Sequence, residues 1–217
     1  MLRRKRAKYS IRLLCSAIML YDVNIDFGGV NFPKPYYQKG KVYIGFVSVF
    51  SGCNKAMAGR PCPQCQNRSL WFHDLHGAQK IHNTQEAYQF VRKKMNVFAG
   101  LYDNKDIQYY YVILGGEPVD QKVSDLEDVE FQVRKAIKDA NSIVDLNSIP
   151  TIMFCGYDNL KKVSLDMRNY IINNVTYLKI GRYLGDKHRK TNLDSGLATE
   201  NQRWIKVADS KMLTELY

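Results

Sequence analysis

Short apolar runs alternate with amphipathic stretches along most of the chain, and this pattern predicts alternating strands and helices. The apolar runs are rich in β-branched and aromatic residues and are five to nine residues long, which is typical of strands. The strands predicted in this way are 42–50, 107–114, 150–154, 176–180 and 203–207. Run 107–114 is apolar almost throughout, as expected for a parallel strand that is buried on both faces.

Three stretches between these runs have apolar residues at helical spacing. The first begins at Thr84, which is a plausible helix cap, and the second follows Ser124 and has several acidic residues in its first turn. The third covers 159–172, and a further short helix is expected at 67–72. This order predicts an α/β domain with a mainly parallel sheet and right-handed crossovers.

The segment before residue 42 is basic at its start and rich in glycine and proline at its end. Its apolar stretch 11–20 is too short for a transmembrane helix, which needs roughly 20 apolar residues. We therefore interpret 1–41 as a basic N-terminal extension that contains a strand, 42–217 as the core domain with its C-terminal segment, and the chain as cytoplasmic.

Composition supports a folded domain of ordinary size and restricts its chemistry only weakly. The chain has 217 residues, of which 45% are hydrophobic and 24% charged. Its net charge of +11 favours an acidic partner, although a merely basic surface explains it equally well. No basic patch is interleaved with aromatic residues in a nucleic-acid-binding pattern.

Three of the five cysteines, Cys53, Cys62 and Cys65, lie in one Gly- and Pro-containing loop directly after the strand 42–50. Such clustering suits metal binding in a reducing compartment better than a set of disulfides. Three thiolates can hold three corners of an iron–sulfur cluster and leave one iron open for a ligand. A fourth ligand could come from Cys15, Cys155, His73 or His76. If they bind no metal, Cys15 and Cys155 are expected to be small buried side chains. With one of these histidines, a Cys₃His structural zinc site is the alternative.

A second polar motif, Gly115-Gly116-Glu117, follows the strand 107–114. The two glycines allow a ligand to approach the backbone because neither has a Cβ atom. Glu117 offers a carboxylate for an ammonium group. Because sites in parallel sheets lie outside the carboxyl ends of the strands, we expect this motif and the cysteine loop to face one crevice.

Four segments in this order resemble the radical S-adenosylmethionine (SAM) superfamily, and within it the activating proteins of anaerobic ribonucleoside-triphosphate reductases. They are GCNKAMAGRPCPQCQNRSLW, LGGEPVDQ, IMFCGYDNLKK and GLATENQR. They resemble the family's cysteine loop ending in C-P-G-C-x-N, its S-G-G-E-P segment, a strand ending in T-G-Y, and a C-terminal G-S-x-N-Q-R. The chain departs from the pattern in its C-x8-C-x2-C spacing instead of C-x3-C-x2-C, with Gln64 in place of a glycine and Cys155 in place of a threonine.

The resemblance implies a partial (β/α)6 barrel that holds a 4Fe–4S cluster on Cys53, Cys62 and Cys65. SAM would bind the open iron and be cleaved by one electron to methionine and a 5′-deoxyadenosyl radical, which would install a glycyl radical on the reductase. The residues implied in cofactor binding are Gly115, Gly116, Glu117, Cys155, Gly156, Tyr157 and Asn67. No side chain is expected to act as a catalytic acid or base. We also interpret Asn201 and Gln202 as polar residues of a turn that shapes the partner or nucleoside surface.

The partners implied are the catalytic subunit of an anaerobic ribonucleotide reductase and an electron donor such as flavodoxin or ferredoxin, without a membrane or nucleic acid. Two alternatives stay open. One is a radical SAM enzyme that acts on a small nucleobase-like substrate, as deazapurine-forming relatives do. The other is a zinc-stabilised basic module that binds nucleic acid.

Overall fold

The structure is a computed structural model in which a central sheet carries helices in an α/β arrangement. The part of the chain that it describes comprises residues 18–25, 42–50, 52–63, 65, 80–81, 84–101, 107–188, 197 and 199–208. The predicted α/β class is confirmed by the alternation of strands and helices in these residues.

Seven strands form the sheet that the described residues build. In chain order they are β1 (Ile18–Ile25), β2 (Val42–Phe50), β3 (Lys80–Ile81), β4 (Ile107–Gly115), β5 (Thr151–Phe154), β6 (Tyr177–Ile180) and β7 (Arg203–Lys206). Their spatial order is β3-β1-β2-β4-β5-β6-β7. The four central strands β2, β4, β5 and β6 are parallel, whereas β1, β3 and β7 pair antiparallel.

The five strands predicted from 42 onward are confirmed to within a residue at each end. The predicted parallel character holds for the centre of the sheet and fails at its flanks, where antiparallel strands are added. Four parallel strands show an α/β sheet; they do not establish the six-unit partial barrel that the resemblance implies.

Of the strand expected at 11–20, residues 11–17 lie outside the described residues and 18–20 belong to β1. This strand runs from Ile18 to Ile25 and pairs with β2 over its whole length, from Ile18 opposite Phe50 to Ile25 opposite Tyr43. The N-terminal segment therefore contributes a strand to the same sheet as the core domain.

Four α-helices are described: α1 (Asn54–Met57), α2 (Thr84–Leu101), α3 (Val123–Ala140) and α4 (Leu165–Asn174). None of them is both long and apolar enough to cross a membrane. Helix α2 begins at Thr84 as predicted, and the helix expected at 67–72 lies outside the described residues.

Two helix starts differ from the prediction. Helix α3 begins at Val123 with Lys122 in the cap position, so Ser124 lies within the first turn instead of preceding the helix. Helix α4 begins at Leu165 and not at 159, because the Ser164 hydroxyl caps it by accepting a hydrogen bond from the Met167 amide at 3.3 Å.

Helices α2, α3 and α4 bury their apolar sides against one face of the sheet, where they form a continuous core. Strand residues on this face alternate along β2 and β4, as in Ile44 and Phe46 or Tyr109 and Tyr111. Phe154 and Lys179 lie outside this core and instead line a pocket at the ends of the parallel strands.

Candidate functional site

The loops that follow β2 and β4 meet at the carboxyl ends of these neighbouring parallel strands. Phe50 lies opposite Gly115 in the register, and the Phe50 carbonyl accepts a hydrogen bond from the Gly116 amide at 2.9 Å. The Glu117 amide donates to the Gly52 carbonyl at 3.1 Å. Gly115 has φ +146°, and a Cβ atom there would lie 2.0 Å from the Phe50 carbonyl oxygen. Only glycine fits this close approach of the two loops.

A pocket at this place brings together both motifs that the sequence analysis selected. It is lined by Cys53, Cys62, Cys65, Gly115, Gly116, Glu117, Cys155, Gly156, Lys55, Lys179, Tyr183 and Gln202, among others. The prediction that the cysteine loop and the Gly-Gly-Glu motif face one crevice is therefore confirmed. The cavity measures about 170 Å³, less than the roughly 300–1,000 Å³ of common ligand pockets. The described residues thus enclose less space than a typical ligand pocket.

The three loop cysteines are free thiols that line this pocket. Cys53 is buried, Cys62 and Cys65 are half-buried, and the Cys65 amide donates to the Cys62 carbonyl at 3.2 Å. Burial raises the pKa of the Cys53 thiol and that of the Cys62 thiol. Within the described part of the chain, no group of three His, Cys, Asp or Glu side chains is arranged to hold a single metal ion.

Glu117 carries a carboxylate that is only 2% exposed and is fully engaged. Its Oε2 atom lies 3.0 Å from the Lys55 Nζ atom, and the Gly156 amide donates to Oε1 at 3.0 Å and to Oε2 at 3.1 Å. Burial raises the pKa of Glu117, and the Lys55 ammonium partly offsets this by favouring the charged form. The result is a partly buried ion pair inside the pocket, in which the Glu117 side chain is 2% exposed and the Lys55 side chain 21%.

The turn Cys155-Gly156-Tyr157 after β5 completes this arrangement. The Cys155 amide donates to the Lys179 carbonyl at 2.7 Å, which ties the turn to β6. Burial raises the pKa of the Cys155 thiol well above its usual value. The Tyr157 hydroxyl donates to Asp120 at 2.9 Å, and its ring lies 3.8 Å from the Lys55 Nζ atom.

Two pocket lysines were not selected from the sequence. Lys55 lies on α1, two residues after Cys53, and its ammonium also donates to the Gly156 carbonyl at 2.7 Å. Lys179 lies on β6 against the Phe154 ring, 5.1 Å from its centroid, and burial lowers its pKa to about 8. Among the described residues no carboxylate pairs with Lys179. Lysines often lie near sequence motifs without a role there, so only the pocket geometry shows that Lys55 and Lys179 line the site.

Gln202, expected to shape a surface near the nucleoside or partner, also lines the pocket. Its side-chain amide donates to the Gly181 carbonyl at 3.2 Å, which fixes the turn after β6. Three other candidates, Asn67, His73 and His76, lie in a segment that the structure does not describe.

Comparisons with known proteins found no match: no family model fits the chain, and neither the curated proteins nor the solved structures include a significant relative. The assignment of a function to this pocket therefore depends on its residues and their geometry.

Proposed function

We propose that this protein is a radical SAM enzyme whose pocket holds a 4Fe–4S cluster on Cys53, Cys62 and Cys65 and binds SAM beside it. One observation carries the proposal. Three thiols, the Gly115-Gly116-Glu117 motif and the Cys155-Gly156 turn line one pocket at the carboxyl ends of adjacent parallel strands. Ligands of α/β proteins commonly bind at this edge of the sheet, outside the carboxyl ends of the parallel strands.

The donor set of the pocket fits such a cluster. Thiolates are the usual ligands of iron–sulfur clusters, and each cysteine binds a different iron of the cubane. Cys53, Cys62 and Cys65 line the same cavity, as the ligands of one cluster must. The raised pKa values of Cys53 and Cys62 favour neutral thiols before metal binding, and coordination would release these protons. When bound, a reduced cluster of this kind supplies the electron that splits the sulfonium of SAM.

The residues of the chain bind, orient and shield the ligand in this proposal. The Glu117 carboxylate accepts hydrogen bonds from the ligand's ammonium group, and Gly115 and Gly116 line the pocket beside it. Burial of Glu117 keeps water away from this contact. No acid or base is needed, so the protein's contribution is positioning and electrostatics.

The particular substrate we propose is a glycine of an anaerobic ribonucleoside-triphosphate reductase, on which the enzyme installs a glycyl radical. The four resembling segments and their order support this choice, and the net charge of +11 suits an acidic protein partner. The six-unit partial barrel and a flavodoxin or ferredoxin as electron donor belong to the same proposal.

Anaerobic reconstitution tests the enzymatic proposal directly. Protein loaded with iron and sulfide, reduced with dithionite and given SAM, should form 5′-deoxyadenosine, measured by liquid chromatography and mass spectrometry. Cys53→Ala, Cys62→Ala and Cys65→Ala should each lose the product and most of the iron. Cys155→Ala, in the same pocket, should retain the iron because three cysteines suffice.

Two outcomes would reject the proposal. One is a loaded, reduced protein that forms no 5′-deoxyadenosine. The other is a colourless protein that contains one zinc ion and whose affinity for nucleic acid falls steeply with salt, as the zinc alternative predicts.

A further inference from the structure

The part of the cysteine loop that follows helix α1 is a short turn held by hydrogen bonds of its own backbone. The Gly59 amide donates to the Ala56 carbonyl at 3.0 Å, and the Arg60 amide donates to the Lys55 carbonyl at 2.8 Å. This is the Schellman arrangement, and Gly59 has the left-handed conformation that it needs, with φ +73°. Residues 57–60 are therefore fixed in one conformation by the end of the helix.

The cysteine loop has an inner side that faces the pocket and an outer side that faces solvent. The loop residues that line the pocket are Cys53, Lys55, Ala56, Pro61, Cys62 and Cys65. Residues 57–60 do not line it, and all four are exposed. Met57 is 46% exposed although its side chain is apolar. We call residues 57–60 the outer turn.

Positive charge accompanies Met57 on this outer side. Arg60 is exposed, and in the part of the chain that the structure describes no carboxylate forms an ion pair with it. A second exposed arginine, Arg182, precedes Tyr183, whose backbone hydrogen-bonds the Cys62 thiol. Arg182 makes a long contact of 3.9 Å with Asp158. An apolar side chain beside exposed arginines suits an acidic protein surface, because complementary charges guide and orient association.

The position of the outer turn favours a partner that delivers electrons. It lies in the same loop as the three cysteines proposed to hold the cluster. A protein that supplies an electron must bring its redox group close to the cluster, whereas a protein that receives the radical must reach the ligand in the pocket. The outer turn is outside the pocket lining, so it suits the first kind of partner. Electron-transfer complexes have small interfaces, and a few residues can therefore direct them.

We propose that the outer turn, through Met57 and Arg60, is the docking surface for an acidic one-electron carrier protein. This inference rests on the proposed function, because the electron is delivered to the proposed cluster. One electron passes from the reduced flavin or iron–sulfur centre of the carrier to the oxidised cluster, and no covalent bond forms or breaks. The C-x8-C spacing lengthens the loop at this place, so the surface is a feature of this chain.

The test compares reduced flavodoxin with dithionite as reductants of the iron–sulfur-loaded protein, since dithionite is too small to need a docking surface. Stopped-flow absorbance measures cluster reduction, and calorimetry measures the dissociation constant of flavodoxin with the oxidised, loaded protein. In low salt, Arg60→Glu should raise this constant and the flavodoxin concentration for half-maximal reduction rate at least about fivefold. Met57→Ser should raise both about two- to fivefold, and Arg60→Lys should keep them near wild type. Reduction by dithionite should be unchanged in all three variants.

Lys206→Glu is the charge-matched control. Lys206 is exposed and lies opposite Tyr177, the first residue of β6, at the end of the sheet away from the pocket. It changes the net charge as much as Arg60→Glu does, but it should alter either constant less than about twofold. If both variants weaken flavodoxin binding equally, only net charge matters and the outer turn is not the docking surface. If Arg60→Glu slows reduction by dithionite as much as by flavodoxin, the substitution disturbs the cluster and the docking role is also contradicted.

The outcomes distinguish this inference from the proposed function. If wild type forms 5′-deoxyadenosine with dithionite, but flavodoxin does not bind or binds Arg60→Glu as well as wild type, the inference alone is wrong. If flavodoxin binds and reduces wild type through Arg60 but no 5′-deoxyadenosine forms, the proposed function is wrong and the docking surface stands. If the loaded protein is reduced by neither reagent, both are overturned.

Discussion

Gly156 is the residue whose size allows the buried charges of the pocket to meet. Its amide donates to both Glu117 carboxylate oxygens, and its carbonyl accepts from Lys55. The space that a side chain would need at this position is already filled by the Glu117 carboxylate. A single methyl group would therefore separate groups that come from three different loops.

Gly156→Ala should lower the free energy of unfolding by about 1–3 kcal/mol, the usual cost of forcing a group into filled space. The displaced pair should also weaken SAM binding to the loaded protein. Gly100→Ala is the matched control, because nothing lies within 4 Å of a Cβ atom there and Gly100 is on helix α2. That substitution should be neutral or stabilise by up to about 1 kcal/mol. Urea denaturation measures both, and equal stability of Gly156→Ala and wild type would contradict the packing argument.

Lys179 should make stability depend on pH in the alkaline range. Burial lowers its pKa from 10.5 to about 8 in the folded protein. Between these values the unfolded chain holds more protons, so the free energy of unfolding rises as the pH increases through this window. Below about pH 7 both states are charged, and the cost of burying the ammonium is then at its maximum.

Lys179→Met should therefore be more stable than wild type at pH 7, and this advantage should shrink between pH 8 and pH 10.5. Chemical denaturation at a series of pH values gives the free energy of unfolding of each protein. The difference between the two values isolates Lys179, because the titrations of other groups largely cancel in it. Lys162→Met, with an exposed lysine, should show no such trend. A difference that stays constant up to pH 10.5 would mean that Lys179 is not desolvated.

At the scale of elements, helix α3 is joined to β5 and α4 by a buried polar network around Glu130. The Glu130 carboxylate accepts hydrogen bonds from Arg134 at 2.9 Å, from Thr151 at 2.6 Å and from Tyr170 at 2.6 Å. Arg134 also donates to the Thr151 hydroxyl at 2.6 Å. Because every partner is hydrogen-bonded, the network fixes the position of two helices against the strand that precedes the Cys155-Gly156 turn.

Glu130→Ala should cost about 3–5 kcal/mol of stability, because it leaves the Arg134 charge without its buried partner. Glu127→Ala is the matched control: it removes the same side chain from an exposed position of the same helix. This control should change stability by no more than about 0.5 kcal/mol. Thermal and urea unfolding, followed by circular dichroism, measure both variants. A loss below 1 kcal/mol for Glu130→Ala would show that the network contributes little.

At the scale of the whole molecule, the parallel order of the central strands creates the site. The motifs after β2, β4 and β5 are separated by about fifty and about forty residues along the chain, yet they meet because their strands are neighbours with the same direction. A ligand that binds in this pocket contacts loops from three strands, so it should stabilise the sheet as a unit.

SAM at a hundredfold excess over its dissociation constant should add about 2.7 kcal/mol to the stability of the iron–sulfur-loaded protein. For a chain of this size that corresponds to a rise of roughly 5–10 °C in Tm. Glu117→Ala should lose most of this shift, whereas Glu127→Ala should retain it. An unchanged Tm at a SAM concentration shown by dialysis to saturate the protein would contradict binding to the folded pocket.

The pattern of apolar residues was sufficient to predict the five strands from residue 42 onward, because a buried strand needs a continuous or alternating apolar run whatever its neighbours are. The polar and glycine residues directly after the predicted strands also marked Cys53 and Glu117, whereas Gly156 was selected only through the family resemblance. The apolar pattern failed at the start of α4, where a serine cap overrides helical spacing.

The pairing of Lys55 with Glu117 could be decided only by the tertiary structure. The two residues are 62 positions apart, and a lysine alone on a short helix has no pattern that marks a buried partner. The same holds for Lys179, whose pKa depends on burial by residues distant in the chain. The sequence by itself determined which segments become strands and where reactive side chains follow them, because these properties are local. The order of the strands in the sheet decided which of those side chains share a pocket, because charges interact through space and not along the chain.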